Sequence, residues 1–148
     1  MGERFPELTW VPEGAGRWQG RLPVWPFDRP APPGVDILTD NLGLGLELRY
    51  NHAYPAAVPA VFPVDPEPDI HSRTQHRWHL LGDGSLCLLA QPAQWTCRDS
   101  VVELLLKAAG WRIEYALMTS DAIESMTENG IVADPQHDEL ITEVARRG

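Results

Sequence analysis

The chain is poor in cysteine and almost devoid of lysine. Its 148 residues contain two cysteines, Cys87 and Cys97, and a single lysine, Lys107. Two thiols outside any CxxC spacing argue against a disulfide framework and against a paired-cysteine redox motif. Twelve Lys and Arg stand against 21 Asp and Glu, for a formal net charge of −9. That balance opposes contact with phosphate backbones, which calls for clustered cations, so no nucleic-acid partner is expected. No apolar run approaches the ~18 residues needed to span a bilayer, and the first residues lack the basic-then-apolar pattern of a secretory signal. No membrane association and a cytoplasmic location are therefore expected. Internal repeats and low-complexity segments are also missing. With 43% apolar residues at this length, the chain suits one domain with a sizeable core rather than two.

Proline is plentiful but uneven. Seven of the 14 prolines fall within the first 34 residues, alongside Trp10, Trp18 and Trp25. Proline blocks interior helical hydrogen bonds, so this part should run as extended pieces and loops, with a first strand over Arg17 to Val24. The tryptophans either pin this segment to the core or present a partner-binding surface. Leu44, Leu46, Leu48 and Tyr50 alternate with Gly43, Gly45, Glu47 and Arg49, which predicts a half-buried strand. A further strand is expected over Ala60 to Val64, followed by loop or edge structure through Pro66 and Pro68. The last third is helical in pattern. Ser100 and Glu103 fit a capping box that opens an apolar helix through Val101, Leu104, Leu105, Ala108 and Trp111. Asp121 with Glu124 forms a weaker capping pattern, Asn129-Gly130 a helix stop, and Asp134-Pro135 the start of a final helix towards Arg146. Strands in succession followed by helices predict an α+β fold.

Within this frame, Gly82-Asp83-Gly84-Ser85-Leu86-Cys87-Leu88 carries the chemistry. A tight Asp-Gly turn delivers one cysteine between two leucines, a way to hold a thiol accessible yet fixed in position. A cysteine thiolate is both nucleophile and leaving group, so it can take an acyl chain from a thioester and pass it to an amine. Cys87 is otherwise a buried core thiol. Cys97 suits packing near the helix start, or a redox partner of Cys87. His76, His79, Cys87 and Cys97 include an H-x2-H spacing usable by zinc, but the cysteines are not paired at short spacing, and no metal site is expected.

Several motifs in order resemble the ubiquitin-conjugating enzymes. Tyr54, Pro55, Pro59 and Val61 match the tyrosine-proline segment before that family's third strand. Gly84, Leu86, Cys87 and Leu88 match its glycine-x-(Ile/Leu)-cysteine-leucine segment. Trp95 and Ser100 match its downstream tryptophan and the hydroxyl residue that opens a Leu-rich helix. The similarity spans roughly residues 17 to 106 and is greatest to the bacterial conjugating enzymes of antiphage (CBASS-like) operons, including those paired with cyclic-oligonucleotide synthases. Where the family has His-Pro-Asn, this chain has Arg77-Trp78-His79, which puts His79 at the asparagine position, eight residues before Cys87. The family's basic N-terminal helix, which contacts the activating enzyme, has no counterpart in the proline-rich start.

The resemblance implies a ubiquitin-conjugating (UBC) fold, an antiparallel sheet followed by helices, in a single domain over 1–148. Its parts are a Pro/Trp-rich segment at 1–40, a core at 41–118 and a helical segment at 119–148. It also implies a cofactor-independent transferase. Cys87 accepts the C-terminus of a ubiquitin-like modifier, or of a cyclic-oligonucleotide synthase, as a thioester, with an activating enzyme as a further partner. His79 either donates to the developing oxyanion, stabilises the thiolate when protonated, or ties the active-site loop to backbone. The alternative function is a non-catalytic protein-binding module on the same fold. Inactive variants of the family lack the cysteine, and this chain has it.

Overall fold

A computed structural model describes residues 4–89, 95–96, 100–127 and 130–147. The chain opens with β1 (Leu8–Val11) and β2 (Arg17–Arg21), passes through the one-turn helix α1 (Val35–Leu38), and continues with β3 (Gly45–Arg49) and β4 (Ala60–Asp65). The four strands form an antiparallel meander in the order β1-β2-β3-β4. β3 follows the alternation read from its sequence. β2 is shorter than the expected Arg17 to Val24, and Pro23, which has no N–H for a ladder, lies just past its end. β1 was not anticipated. It fits between Pro6 and Pro12 as an edge strand, the place where flanking prolines are tolerated.

Register decides which side chains share a face. Leu8, Gly20, Leu46 and Pro63 form one cross-strand row, and Trp10, Trp18, Leu48 and Val61 another on the same face. Leu8, Leu46, Leu48 and Val61 are buried there. The row between them, Thr9, Gln19, Glu47 and Phe62, lies on the opposite face. On that side the Arg49 guanidinium sits 4.4 Å over the Phe62 ring and pairs with Glu47 at 2.6 Å.

Helix α2 (Val101–Thr119) supplies the other half of the core. Leu104, Leu105, Ala108, Ile113 and Leu117 join the same apolar cluster as the sheet residues, Phe5, Phe27, Ile131 and Ile141. A fully buried leucine contributes about 1.5–3 kcal/mol. Burial extends to Gly110, Trp111, Glu114, Ala116 and Met118, so α2 is covered around most of its circumference rather than along one stripe. Ser100 caps it, its hydroxyl accepting from the Val102 N–H, while the Glu103 N–H bonds the Ser100 carbonyl. The cap therefore serves Val102 rather than the Glu103 amide that a capping box would use.

The expected helix start at Asp121 is a helix end. The Asp121 N–H bonds the Met118 carbonyl and the Ala122 N–H bonds the Leu117 carbonyl, with Asp121 left-handed at φ 59°. This is the Schellman arrangement, and aspartate tolerates it because its short polar side chain permits positive φ. Among the described residues no helix lies between Thr119 and Pro135. Asn129 of the expected helix stop lies outside the described residues.

Asp134 caps the last helical segment as expected, accepting from the Gln136 N–H at 3.0 Å. A 3-10 turn over Pro135–His137 leads into α3 (Asp138–Arg147). α3 packs against the start of α1, where a β-carbon at Gly34 (φ 93°) would come within 2.6 Å of the Ala145 β-carbon. Only glycine satisfies both the backbone angle and the close approach.

The proline-rich segment is tied to this end of the molecule. Arg29 pairs with Asp138 at 2.6 Å, donates to the Ile131 and Asp134 carbonyls, and stacks 4.7 Å over the Trp25 ring, whose Nε1 donates to the Arg29 carbonyl. Trp25 thus pins the segment to the core, whereas Trp10 remains 44% exposed at the sheet edge. Among the described residues no helix is long and apolar enough to cross a membrane.

Candidate active site

Beyond β4 the chain makes two short 3-10 segments, Ile70–Thr74 and His76–Trp78. Asp69 caps the first, accepting from both the N–H and the hydroxyl of Ser72. The second ends at His79, whose backbone is left-handed at φ 50° and ψ 45°. This reverses the chain, and Leu80 then pairs antiparallel with Leu86.

The turn between them is built by its own residues. Asp83 Oδ1 accepts from the Ser85 N–H at 2.9 Å and from the Ser85 hydroxyl at 2.6 Å. The Ser85 hydroxyl, then its N–H, and more weakly the nearby Arg73 hold the Asp83 carboxyl below its usual range. Gly84 takes φ 92°, and a β-carbon there would lie 3.0 Å from Arg73 Cζ, so the guanidinium lies against the turn. Leu81 N–H to the Ser85 carbonyl and Gly84 N–H to the Leu81 carbonyl close it, at 2.8 and 2.9 Å.

The hairpin hangs from the sheet. Leu86 N–H donates to the Val61 carbonyl of β4 at 2.8 Å, and Leu80 and Leu86 are buried beneath it. One residue further, Cys87 emerges half-buried with a free thiol. Its N–H donates to the His79 carbonyl at 2.7 Å, and its Sγ lies 3.5 Å from the Leu89 carbonyl oxygen. His79 and Cys87 are therefore opposite each other in register, one step outside the Leu80–Leu86 pair.

Other motif residues meet in two pairs, Trp95 with Pro55 and Leu86 with Val61. Trp95 is buried and donates from Nε1 to the Pro55 carbonyl at 2.9 Å, which ties the Tyr54–Pro55 segment to the region that follows the hairpin. The Tyr54–Pro55 peptide bond is cis. Val61 supplies the acceptor for Leu86, and Ser100 opens α2. Cys97 lies outside the described residues. His76 and His79 have ring centroids 5.7 Å apart, but among the described residues no three His, Cys, Asp or Glu side chains are grouped so as to hold a metal ion.

Sequence reasoning missed the support behind the hairpin. Trp111 on α2 donates from Nε1 to the Trp78 carbonyl at 2.9 Å, and its ring stacks on Tyr115 at 5.0 Å. Met126 N–H donates to the Arg77 carbonyl, and the Arg77 guanidinium donates to the Glu124 carbonyl. The signal available for such support was Glu114, an acidic residue three positions from both Trp111 and Leu117 on a helix otherwise patterned for burial.

As chemistry, the site presents a free thiol on a partly buried Cys87, opposite His79 in the backbone register. The N–H groups of Cys87 and Leu86 are committed to the His79 and Val61 carbonyls, so neither is available to stabilise an oxyanion at the thiol. Comparison with family models, curated proteins and solved structures finds no match to this chain.

Proposed function

We propose that the chain is a ubiquitin-conjugating-type acyl transferase of the kind found in antiphage operons, with Cys87 as its nucleophile. The observation that carries this reading is the register of the short hairpin, which sets His79 opposite Cys87, a partly buried residue with a free thiol. The four-stranded antiparallel sheet followed by α2 supports a UBC-type fold. The approach of Trp95 to Pro55 supports it further, since both belong to motifs that resemble that family.

In this reading the Cys87 thiolate attacks the carbonyl carbon of a donor thioester, a new C–S bond forms, and the donor thiolate leaves. An amine then attacks the Cys87 thioester, a C–N bond forms, and the Cys87 thiolate departs while the ammonium proton passes to solvent. The donor is the C-terminus of a ubiquitin-like modifier or of a cyclic-oligonucleotide synthase, delivered from an activating enzyme in the cytoplasm. His79 donates to the developing oxyanion in this reading, since the N–H groups of Cys87 and Leu86 are already engaged.

A glycine-terminated peptide thioester of mercaptoethanesulfonate tests the reading. Incubation with the protein should give a covalent peptide adduct on Cys87 that is released by thiol reductant and discharged by added amine. Failure to form any adduct while Cys87 still alkylates with iodoacetamide would overturn it.

A further inference from the structure

Glu114 is the one acidic side chain in the core of α2, 2% exposed between Ile113 and the following turn at Leu117. A buried carboxylate is costly unless its oxygens accept hydrogen bonds. Both oxygens of Glu114 do so from the same residue: the Thr127 N–H reaches Oε2 at 2.9 Å and the Thr127 hydroxyl reaches Oε1 at 2.7 Å. Thr127 Oγ1 in turn accepts from the Gly130 N–H at 3.0 Å. The carboxylate thus clasps the segment that follows α2, with the neighbouring Met126 side chain buried beside it.

The clasped segment is the one that supports the hairpin. Met126 N–H donates to the Arg77 carbonyl at 2.9 Å, and the Arg77 guanidinium reaches the Glu124 carbonyl at 3.1 Å. Two residues after Arg77 stands His79, whose carbonyl holds the Cys87 N–H. We infer that Glu114, through Thr127, is a positioning residue that fixes His79 opposite Cys87, a role resting on the acyl-transfer reading. Glu114 lies in the core on α2 and acts through the segment it grips, so it serves the site without touching substrate.

Thr127→Val removes the hydroxyl at nearly constant shape and leaves the Gly130 N–H and Glu114 Oε1 without this partner. Thr127→Ser restores both. Amide hydrogen exchange at Met126 and Cys87 should accelerate about tenfold in Thr127→Val, the loss expected for one charge-assisted bond, and return to the wild-type rate in Thr127→Ser. Loading from the peptide thioester should fall on the order of tenfold at saturation, with the half-saturating concentration unchanged, because small misplacements of reacting groups are expensive. Glu114→Gln, which keeps an acceptor for the Thr127 N–H, should fall between the two and stands in if Thr127→Val does not fold. Wild-type exchange at Cys87 in a Thr127→Val protein that folds would overturn the inference. So would equal impairment in Thr127→Ser, or a lower melting temperature with a normal rate per folded molecule. If the wild-type protein forms no thioester, the functional reading fails, and exchange at Cys87 alone decides whether the clasp holds the hairpin.

Discussion

Gly84→Ala perturbs the turn that delivers Cys87, and its cost can be worked from two contributions. The backbone there has φ 92°, which a residue with a β-carbon adopts at a cost of about 1–2 kcal/mol. The added methyl would also meet Arg73, with Cζ at 3.0 Å and Nε at 3.1 Å. Those atoms end a flexible side chain that can move by a few tenths of an ångström, so the steric part is the smaller one. A loss of ~1–2 kcal/mol in a chain of this size lowers the melting temperature by about 2–8 °C. Thermal denaturation followed by circular dichroism measures it. The double variant Gly84→Ala/Arg73→Ala separates the two contributions, and less than about 0.5 kcal/mol should be recovered by removing Arg73. Gly84→Asn should cost less than alanine, because asparagine enters positive φ more readily. Wild-type stability in Gly84→Ala would show that the turn does not hold a left-handed residue. Full recovery in the double variant would show that crowding, not backbone conformation, dictates the glycine.

His79→Ala should slow discharge of a loaded Cys87 by about 10²–10³-fold, the usual effect of losing an oxyanion donor, while moving the melting temperature little; normal discharge from a destabilised protein would assign His79 a structural role instead. Because the Asp83 carboxyl titrates below its usual range in the folded state, its bonds to Ser85 contribute stability that is complete above the unfolded value of about 4 and is lost as pH falls through the lower folded value. Stability differences between wild type and Asp83→Asn should therefore shrink only below about pH 4 in pH-dependent melting curves, and a constant difference from pH 7 to pH 2 would contradict this. Lys107 is the single lysine and is exposed on α2, so mass spectrometry of the loaded protein should find self-conjugation only there or at the N-terminal amine; efficient transfer to a hydroxyl would contradict an amine-directed mechanism.

What could be read from the sequence was whatever repeats with a local period or closes over a short span. β3 follows from its alternating leucines, α2 from Ser100 and its apolar spacing, and the last helix from Asp134-Pro135. The Asp-Gly turn before Cys87 was legible, but His79 was offered only by its place eight residues before the cysteine, and the short hairpin that sets the two opposite each other was not expected. β1 escaped because its alternation, Leu8 and Trp10 about Thr9, is only four residues long and flanked by prolines, and its pairing with β2 decides its conformation. Asp121 was misread because aspartate suits both an N-cap and a left-handed helix end, and only the fate of the Leu117 carbonyl distinguishes them. Glu114 stands out in the sequence as an acid on an apolar helix, but what it grips does not. Its partner lies 13 residues away in a segment with no regular structure, and only the packed core brings them together.

If Cys87 forms the acyl intermediate, replacing its sulfur changes the chemistry of the adduct. Wild type, Cys87→Ser, Cys87→Ala and Cys97→Ala are each incubated with the same activated donor and resolved with and without thiol reductant. Wild type and Cys97→Ala should give a reductant-labile adduct, Cys87→Ser a reductant-resistant oxygen ester, and Cys87→Ala none. Equal adducts in wild type and Cys87→Ala, or loss of the adduct in a folded Cys97→Ala protein, would contradict it.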